Sequence, residues 1–467
     1  MAISKLTIMK FGGTSVEDAQ AFERLMKIVG TVHMLKTSPP VVVVSAMSGV
    51  TNALLASVDQ ATAGDPEGAV RLLEPQWERH LTVARALTME PAAIEVLLHT
   101  AKEEIADLLR ATAAETMPRP LLQDLIVSYG ERLSAALLAA VLRRASLPAQ
   151  HVDARRCIIT NGEHGHAEPL PAQITLRTRA EIEPLIAAEK IPVVGGFIGS
   201  TVDGTTTTLG RGGSDYTAAL LGAALAAHEV QIWTDVTGVL TADPHLVRQA
   251  RSIARLSYAE AAELAYFGAK VLHPKTIQPA VEQRIPVRIC NAREPAAAGT
   301  IVCSDSVLSP RTVKAIAHKT GITLVQITSA RMLGAYGFLH AIFEVFNRHR
   351  TAIDIVTTSE VSVSLSLDHT STLAAVVNEL KQLGAVRVEH NQAIICVVGE
   401  GLRATPGIAG RIFNCLNDIN VSLISHGASS VNVTFVVEEK NVREAISRLH
   451  ATFFEDNAAE IGEAAVA

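Results

Sequence analysis

Residues 5–34 read KLTIMKFGGTSVEDAQAFERLMKIVGTVHM. The opening Lys5–Lys10 is a short β-prone run, Gly12 and Gly13 follow it, and apolar residues then recur at threes and fours over Val16–Met34, which predicts a helix. Strand, glycine loop, helix is the repeating unit of a parallel α/β sheet. Two glycines let backbone N–H groups come close to an anion, a helix N-terminus adds favourable dipole charge, and Lys10 reaches the same anion as a point charge. A tight strand–helix turn with an exposed lysine is the plainer reading of the same residues.

Further strand candidates at Val41–Ser45, Ile191–Val194 and Val230–Thr234 alternate with helical patterns at Pro91–Ala111, Leu121–Arg144, Asp215–Ala227 and Tyr258–Phe267. This order predicts a largely parallel sheet covered on both faces. Between Gly195 and Gly210, Val202-Asp203-Gly204 separates two β-prone runs and predicts a hairpin.

The chain has 467 residues, enough for two to four domains. With 48% apolar and 19% charged residues, disorder is excluded as the dominant state. Lysine and arginine total 41 against 47 acidic residues, and the net charge of −6 argues against nucleic acid as the main partner. The 11 Phe, 5 Tyr and 2 Trp leave little for base stacking. Thr217–Ala227, one of the longest apolar runs, has 11 residues where a spanning helix needs about 20, so no membrane partner is expected. The N-terminus has no apolar segment of signal-peptide length. Five cysteines without a CxxC pair fit a reducing cytoplasm better than disulfides or structural zinc.

Beyond the polar link at 305–311 lies an internal repeat. Glycine, phenylalanine and valine recur 70 residues apart, at 337/407, 343/413 and 361/431. Each copy reads strand, glycine turn, amphipathic helix, two strands, helix, and paired copies can bury a shared surface. The boundaries are placed at 1–304, 305–390 and 391–457, with 458–467 as a mobile alanine-rich tail.

Two more loops carry chemistry. Gly210-Arg211-Gly212-Gly213-Ser214-Asp215 opens a helix and offers a guanidinium fork for a carboxylate or phosphate, with Asp215 able to hold a metal or an amine. Ser45-Ala46-Met47-Ser48-Gly49-Val50-Thr51-Asn52 leaves a strand end, where open α/β sheets bind ligands. Glu163-His164-Gly165-His166 invites a metal reading, but two histidines at i and i+2 are more often a loop, and no metal is assigned.

Five motifs together, KFGGTSV at 10–16, VSAMSGVTN at 44–52, SYGERLSA at 128–135, TTLGRGGSDYTA at 207–218 and FGAKVLHP at 267–274, resemble aspartate kinase, with a tail that looks like its paired ACT domains. The resemblance implies a three-layer αβα sandwich of the amino acid kinase fold followed by two ferredoxin-like α+β ACT domains. It also implies transfer of a phosphoryl group from MgATP to L-aspartate. In that family Lys10 and Asp215 would be catalytic, and Ser45, Thr51, Glu131, Arg211 and Asp215 would hold the substrate. Lys10, Gly12, Gly13, Thr234, Asp235 and Lys270 would meet the nucleotide. Many members have tyrosine at the position of Leu240 and arginine at that of His245. Without the family, Glu131 on an apolar helix reads more readily as a solvated residue or a partner of Arg132.

The first ACT copy is similar to the lysine site of lysine-sensitive members. Met332, Gly337, Phe338, Leu339, Asp354, Thr358, Ser359, Glu360 and Val361 would form it, and a homodimer through the ACT domains, or a tetramer, would follow. Two other readings stay open: a related kinase acting on another amino acid or a nucleotide, and a catalytically weak effector-binding protein.

Overall fold

The computed structural model describes residues 6–35, 38–268, 272–304 and 312–455. The chain divides into two compact units. The first comprises Met1–Val239, Ala254–Tyr258 and Val271–Asp305; the second comprises Leu240–Ile253, Ala259–Lys270 and Ser306–Ala467.

In chain order the strands are β1 Thr7–Phe11, β2 Val41–Val44, β3 Ala149–Val152, β4 Ile191–Gly195, β5 Ile198–Ser200, β6 Thr206–Thr208, β7 Glu229–Thr234, β8 Arg255–Ser257, β9 Val287–Asn291 and β10 Thr300–Cys303. Eight of them form one sheet in the order β3-β4-β2-β1-β7-β9-β10-β8. All its pairings are parallel except β9 with β10. The four valines of β2 are all fully buried, as a central strand covered on both faces requires. The sequence turns from β2 to β7 on the two sides of β1, which makes the carboxyl end of β1 a topological switch point. β5 and β6 form the expected hairpin, with Gly204 in the left-handed conformation at φ 86°.

Two local expectations are corrected. The helix predicted from Val16 starts at Ala19, because Gly13–Val16 first makes one tight 3-10 turn. The helix predicted over Leu121–Arg144 is two, Arg119–Val127 and Tyr129–Arg144, joined at Ser128. As one 26-residue stretch, Arg119–Arg144 has the length and apolarity to cross a membrane, which the run-length reading did not find. Its most apolar 18 residues are 78% buried, and Ile126, Val127, Leu133, Leu137, Leu138 and Leu142 belong to the first unit's core.

The second unit is built on β11 Ala315–Thr328, β12 Val356–Thr358, β13 Ser362–Leu367, β14 Ala385–Val398, β15 Val421–His426 and β16 Asn432–Glu438. These form one antiparallel sheet in the order β12-β13-β11-β14-β16-β15. The two sequence repeats therefore join edge to edge through β11 and β14, their longest strands at 14 residues each. Ala242 and Val247 share a core with Ile316, Val397 and Phe435. The helix Tyr258–Tyr266 is tied to the start of β11 by Lys314 Nζ–Glu260 Oε2 at 2.8 Å, a pair with side chains only 8% and 0% exposed.

Candidate active site

At the carboxyl ends of β1, β2 and β7 lies a cavity of about 760 Å³. Lys10, Gly12, Gly13, Ser45, Thr51, Glu131, Arg211, Asp215 and Thr234 all line it. Lys10 Nζ lies 2.6 Å from Asp215 Oδ1, and both side chains are largely shielded from solvent. Asp215 stands in the first turn of the helix Gly213–Ala224, whose N-cap, Gly212, is left-handed at φ 75°. A Cβ there would meet Thr276 Cγ2 at 2.7 Å, so both conformation and space require glycine. Arg211 is exposed on the cavity wall, and among the described residues it carries no ion pair.

Glu131 is the residue that a composition argument places worst. Its helix buries it to 3% exposure. Arg132 does not neutralise it, since that guanidinium lies over the Tyr129 ring at 4.2 Å. Burial pushes the Glu131 carboxyl up to about 8, against the smaller opposing pull of backbone N–H groups at Ala46 and Glu131 itself. Its Oε2 is buried with no hydrogen-bond partner among the described residues. A buried carboxyl with an unfilled oxygen on a cavity wall suits a cationic ligand.

Backbone hydrogen bonds fix the glycine loop after β1 to the loop after β2 and to the end of β7. Ser45 N–H donates to Phe11 O at 3.1 Å and Ser48 N–H to Gly13 O at 3.2 Å. Arg79 Nη2 braces Ser48 O at 2.6 Å, and Ser134 Oγ donates to Ser45 O at 2.7 Å. Gly12 N–H is committed to Trp233 O at 3.2 Å, so Gly12 gives the cavity room but no free donor. The dipole expected at this loop is also displaced, because the long helix starts only at Ala19.

A sequence model of the amino acid kinase family matches residues 5–291, and one of the ACT domain matches 395–453. The lysine-sensitive aspartokinase 3 of Escherichia coli is 38% identical over 97% of this chain and 100% of its own. The chain belongs to the aspartokinase family. The crystal structure of E. coli aspartokinase III with lysine and aspartate, in the T-state, matches with a TM-score of 0.82 over 97% of this chain and all of that one. The R-state structure with aspartate and ADP gives 0.80 over 96% of this chain and 100% of that one, also at 38% identity. The amino acid kinase fold with C-terminal ACT domains is thereby established for this chain.

Sequence reasoning missed a further residue of this aspartokinase's cavity, Asp124. It is 1% exposed, accepts from Thr208 Oγ1 at 2.6 Å and Gly165 N–H at 3.1 Å, and meets His164 Nδ1 at 2.8 Å. It thus clamps the end of β6, just before the arginine loop, to the 163–166 loop. A lone aspartate inside the apolar run LLQDLIV was the available signal. His164 is explained by this contact, and no group of three metal-ligating side chains occurs among the described residues.

The nucleotide residues are assembled only in part. Thr234 lines the cavity and donates to Asp235 Oδ1 at 3.1 Å, while Asp235 is exposed outside the lining. Lys270 lies outside the described residues. Leu240 and His245 both belong to the second unit.

In the first ACT repeat, Met332 closes a short 3-10 turn and left-handed Gly337 caps the helix Phe338–Arg348. Ser329 N–H donates to Val361 O at 2.8 Å, which sets the Met332 turn beside the loop carrying Thr358, Ser359, Glu360 and Val361. Phe338 is in the core, whereas Leu339 is 40% exposed. The Asp354 side chain is 3% exposed; its Oδ1 lies 3.5 Å from Lys319 Nζ and accepts the Tyr266 hydroxyl, while Oδ2 is buried without a partner among the described residues.

Proposed function

We propose that this aspartokinase transfers the γ-phosphoryl group of ATP to the β-carboxylate of L-aspartate, giving 4-phospho-L-aspartate, the first step toward lysine, threonine and methionine. The observation that carries the reading is charge placement in one cavity: an exposed guanidinium at Arg211 and an unfilled buried carboxyl at Glu131. Together they complement the α-carboxylate and α-ammonium of a free amino acid. An acylated amine has no positive charge to draw the Glu131 carboxyl into its ionised form, so it forgoes the charge-assisted contact that a free ammonium makes.

Phosphoryl transfer asks the protein mainly to position groups and offset charge. Arg211 holds the α-carboxylate, Glu131 the ammonium, and Ser45 and Thr51 the remaining polar edge of the substrate. Lys10, oriented by Asp215, offsets charge on the transferring phosphoryl oxygens. Gly12 and Gly13 leave room for the phosphates, and Thr234, Asp235 and Lys270 receive the rest of the nucleotide. Mg²⁺ would arrive on the ATP phosphates and keep most of its waters, so a dedicated protein cage is not required. Asp215 would be the carboxylate that orients it.

Lysine would act as feedback inhibitor through the first ACT repeat. A homodimer through the ACT domains, or a tetramer of such dimers, is the assembly expected, within the cytoplasm. The regulatory domains would span 305–390 and 391–457. The test is ATP consumption with L-aspartate, trapping the acyl phosphate with hydroxylamine, with and without millimolar lysine. Hydroxamate that requires aspartate and falls with lysine supports both assignments. Its absence with a folded protein would overturn the kinase reading.

Glu131 yields a prediction of its own. At pH 7 the free site holds this carboxyl protonated, and an incoming ammonium favours its ionised form. Aspartate binding should therefore release close to one proton at pH 7 and progressively fewer above pH 8. Calorimetric titrations in two buffers of different ionisation enthalpy read this directly, and zero release at pH 7 would remove the role. The linked stability has a definite sign. The folded value, about 8, exceeds the ordinary 4.5, so the stabilisation present below pH 4.5 is lost as pH rises through 8.

A further inference from the structure

The helix Tyr258–Tyr266 is held to the tandem ACT sheet at both ends, by two different kinds of contact. At its start the Glu260–Lys314 pair is almost wholly buried. At its end Tyr266 donates its hydroxyl to Asp354 Oδ1, and the Lys319 ammonium lies 5.2 Å from the centre of the Tyr266 ring. Just beyond, left-handed Gly268 presses against β11 so closely that a Cβ would meet His318 O at 2.3 Å.

The Tyr266 end rests on an incompletely satisfied carboxylate. Lys319 is shared between Asp368 at 2.8 Å and Asp354 at 3.5 Å, so two acidic groups have one close lysine between them. His369 approaches Asp368 only at 3.9 Å and is 85% exposed. Asp354 Oδ2 remains buried with no partner among the described residues. A cluster short of one positive charge, with an unfilled acceptor in a side chain only 3% exposed, is built for a cation.

We infer that Tyr266 is an internal competitor for the effector carboxylate: its hydroxyl and the ammonium of a cationic amino acid draw on the same charge of Asp354, so each weakens the other. This rests on the lysine reading given above. An ammonium at Oδ2 lowers the acceptor strength of Oδ1 and loosens Tyr266, while the Glu260–Lys314 end stays fixed. The loosened end is four residues before Lys270, the residue assigned to the ATP phosphates. Coupling is reciprocal, so whatever loosens Tyr266 must also favour effector binding. Because lysine is the inhibitor, the Tyr266–Asp354 bond belongs to the active state.

The test is Tyr266→Phe in the full chain, which removes one hydroxyl from a half-exposed side chain. Lysine binding is measured by calorimetry on both proteins. The net worth of an ordinary intramolecular hydrogen bond leads us to expect a lysine Kd lower by about three- to tenfold in the variant. A Kd within twofold of the unaltered protein, or weaker, overturns the inference. If the unaltered protein binds no lysine, the effector reading fails instead, and the two failures are thus distinguished. A thermal melt of both proteins checks that the variant is folded.

Discussion

Replacing Lys10 with methionine is expected to lower kcat by about 10³-fold, on the scale of losing a preorganised charge from a phosphoryl or oxyanion site. That is about 4 kcal/mol of transition-state stabilisation. The effect should fall on kcat and leave the aspartate KM within a few-fold, because the ammonium faces Asp215 and the phosphate-sized space beside Gly12 and Gly13. Lys10→Arg should rescue poorly, since a planar guanidinium cannot replace a compact ammonium held 2.6 Å from Asp215. Steady-state kinetics on both variants decide it: a kcat for the methionine variant within tenfold of the unaltered protein would remove Lys10 from the chemistry.

Arg211→Ala is the second large effect. The side chain is exposed, so the fold has little stake in it, and no ion pair among the described residues competes for it. Loss of a bidentate carboxylate clamp should raise the aspartate KM by about 100-fold, or about 2.7 kcal/mol, while the ATP KM changes little. An unchanged aspartate KM would withdraw the substrate assignment, whereas a parallel rise in both KM values would place Arg211 on the nucleotide.

Much of this site was legible because its loops follow strands. Lys10, Ser45 and Thr234 sit at or just after β-prone runs, and strand periodicity alone brings such positions to one edge of a parallel sheet. Glu131 was legible only by family resemblance. Its burial depends on the packing of Tyr129–Arg144 into a core made by residues far away in sequence, which helical periodicity does not encode. Asp124 escaped for a related reason, since its partners at 164, 165 and 208 come from another part of the chain. The hairpin was readable because Val202-Asp203-Gly204 is a local turn signal. The 3-10 turn at Gly13–Val16 was not, because its geometry follows from Gly13 lying against the Ala46 carbonyl, where a Cβ would come within 3.0 Å.

The β11–β14 pairing and the recruitment of Leu240–Ile253 and Ala259–Lys270 into the second unit have a consequence for inheritance. A cut after residue 304 would leave Ala242 and Val247 on one fragment while their packing partners Ile316, Val397 and Phe435 went to the other. A cut between the repeats would strip a 14-residue strand of its neighbour and expose a long edge. An exchanged regulatory half must therefore repack against Ala242 and Val247, which stay with the catalytic half. The two units are thus matched to each other across the chain, and a change in one side of that shared core asks for a compensating change in the other.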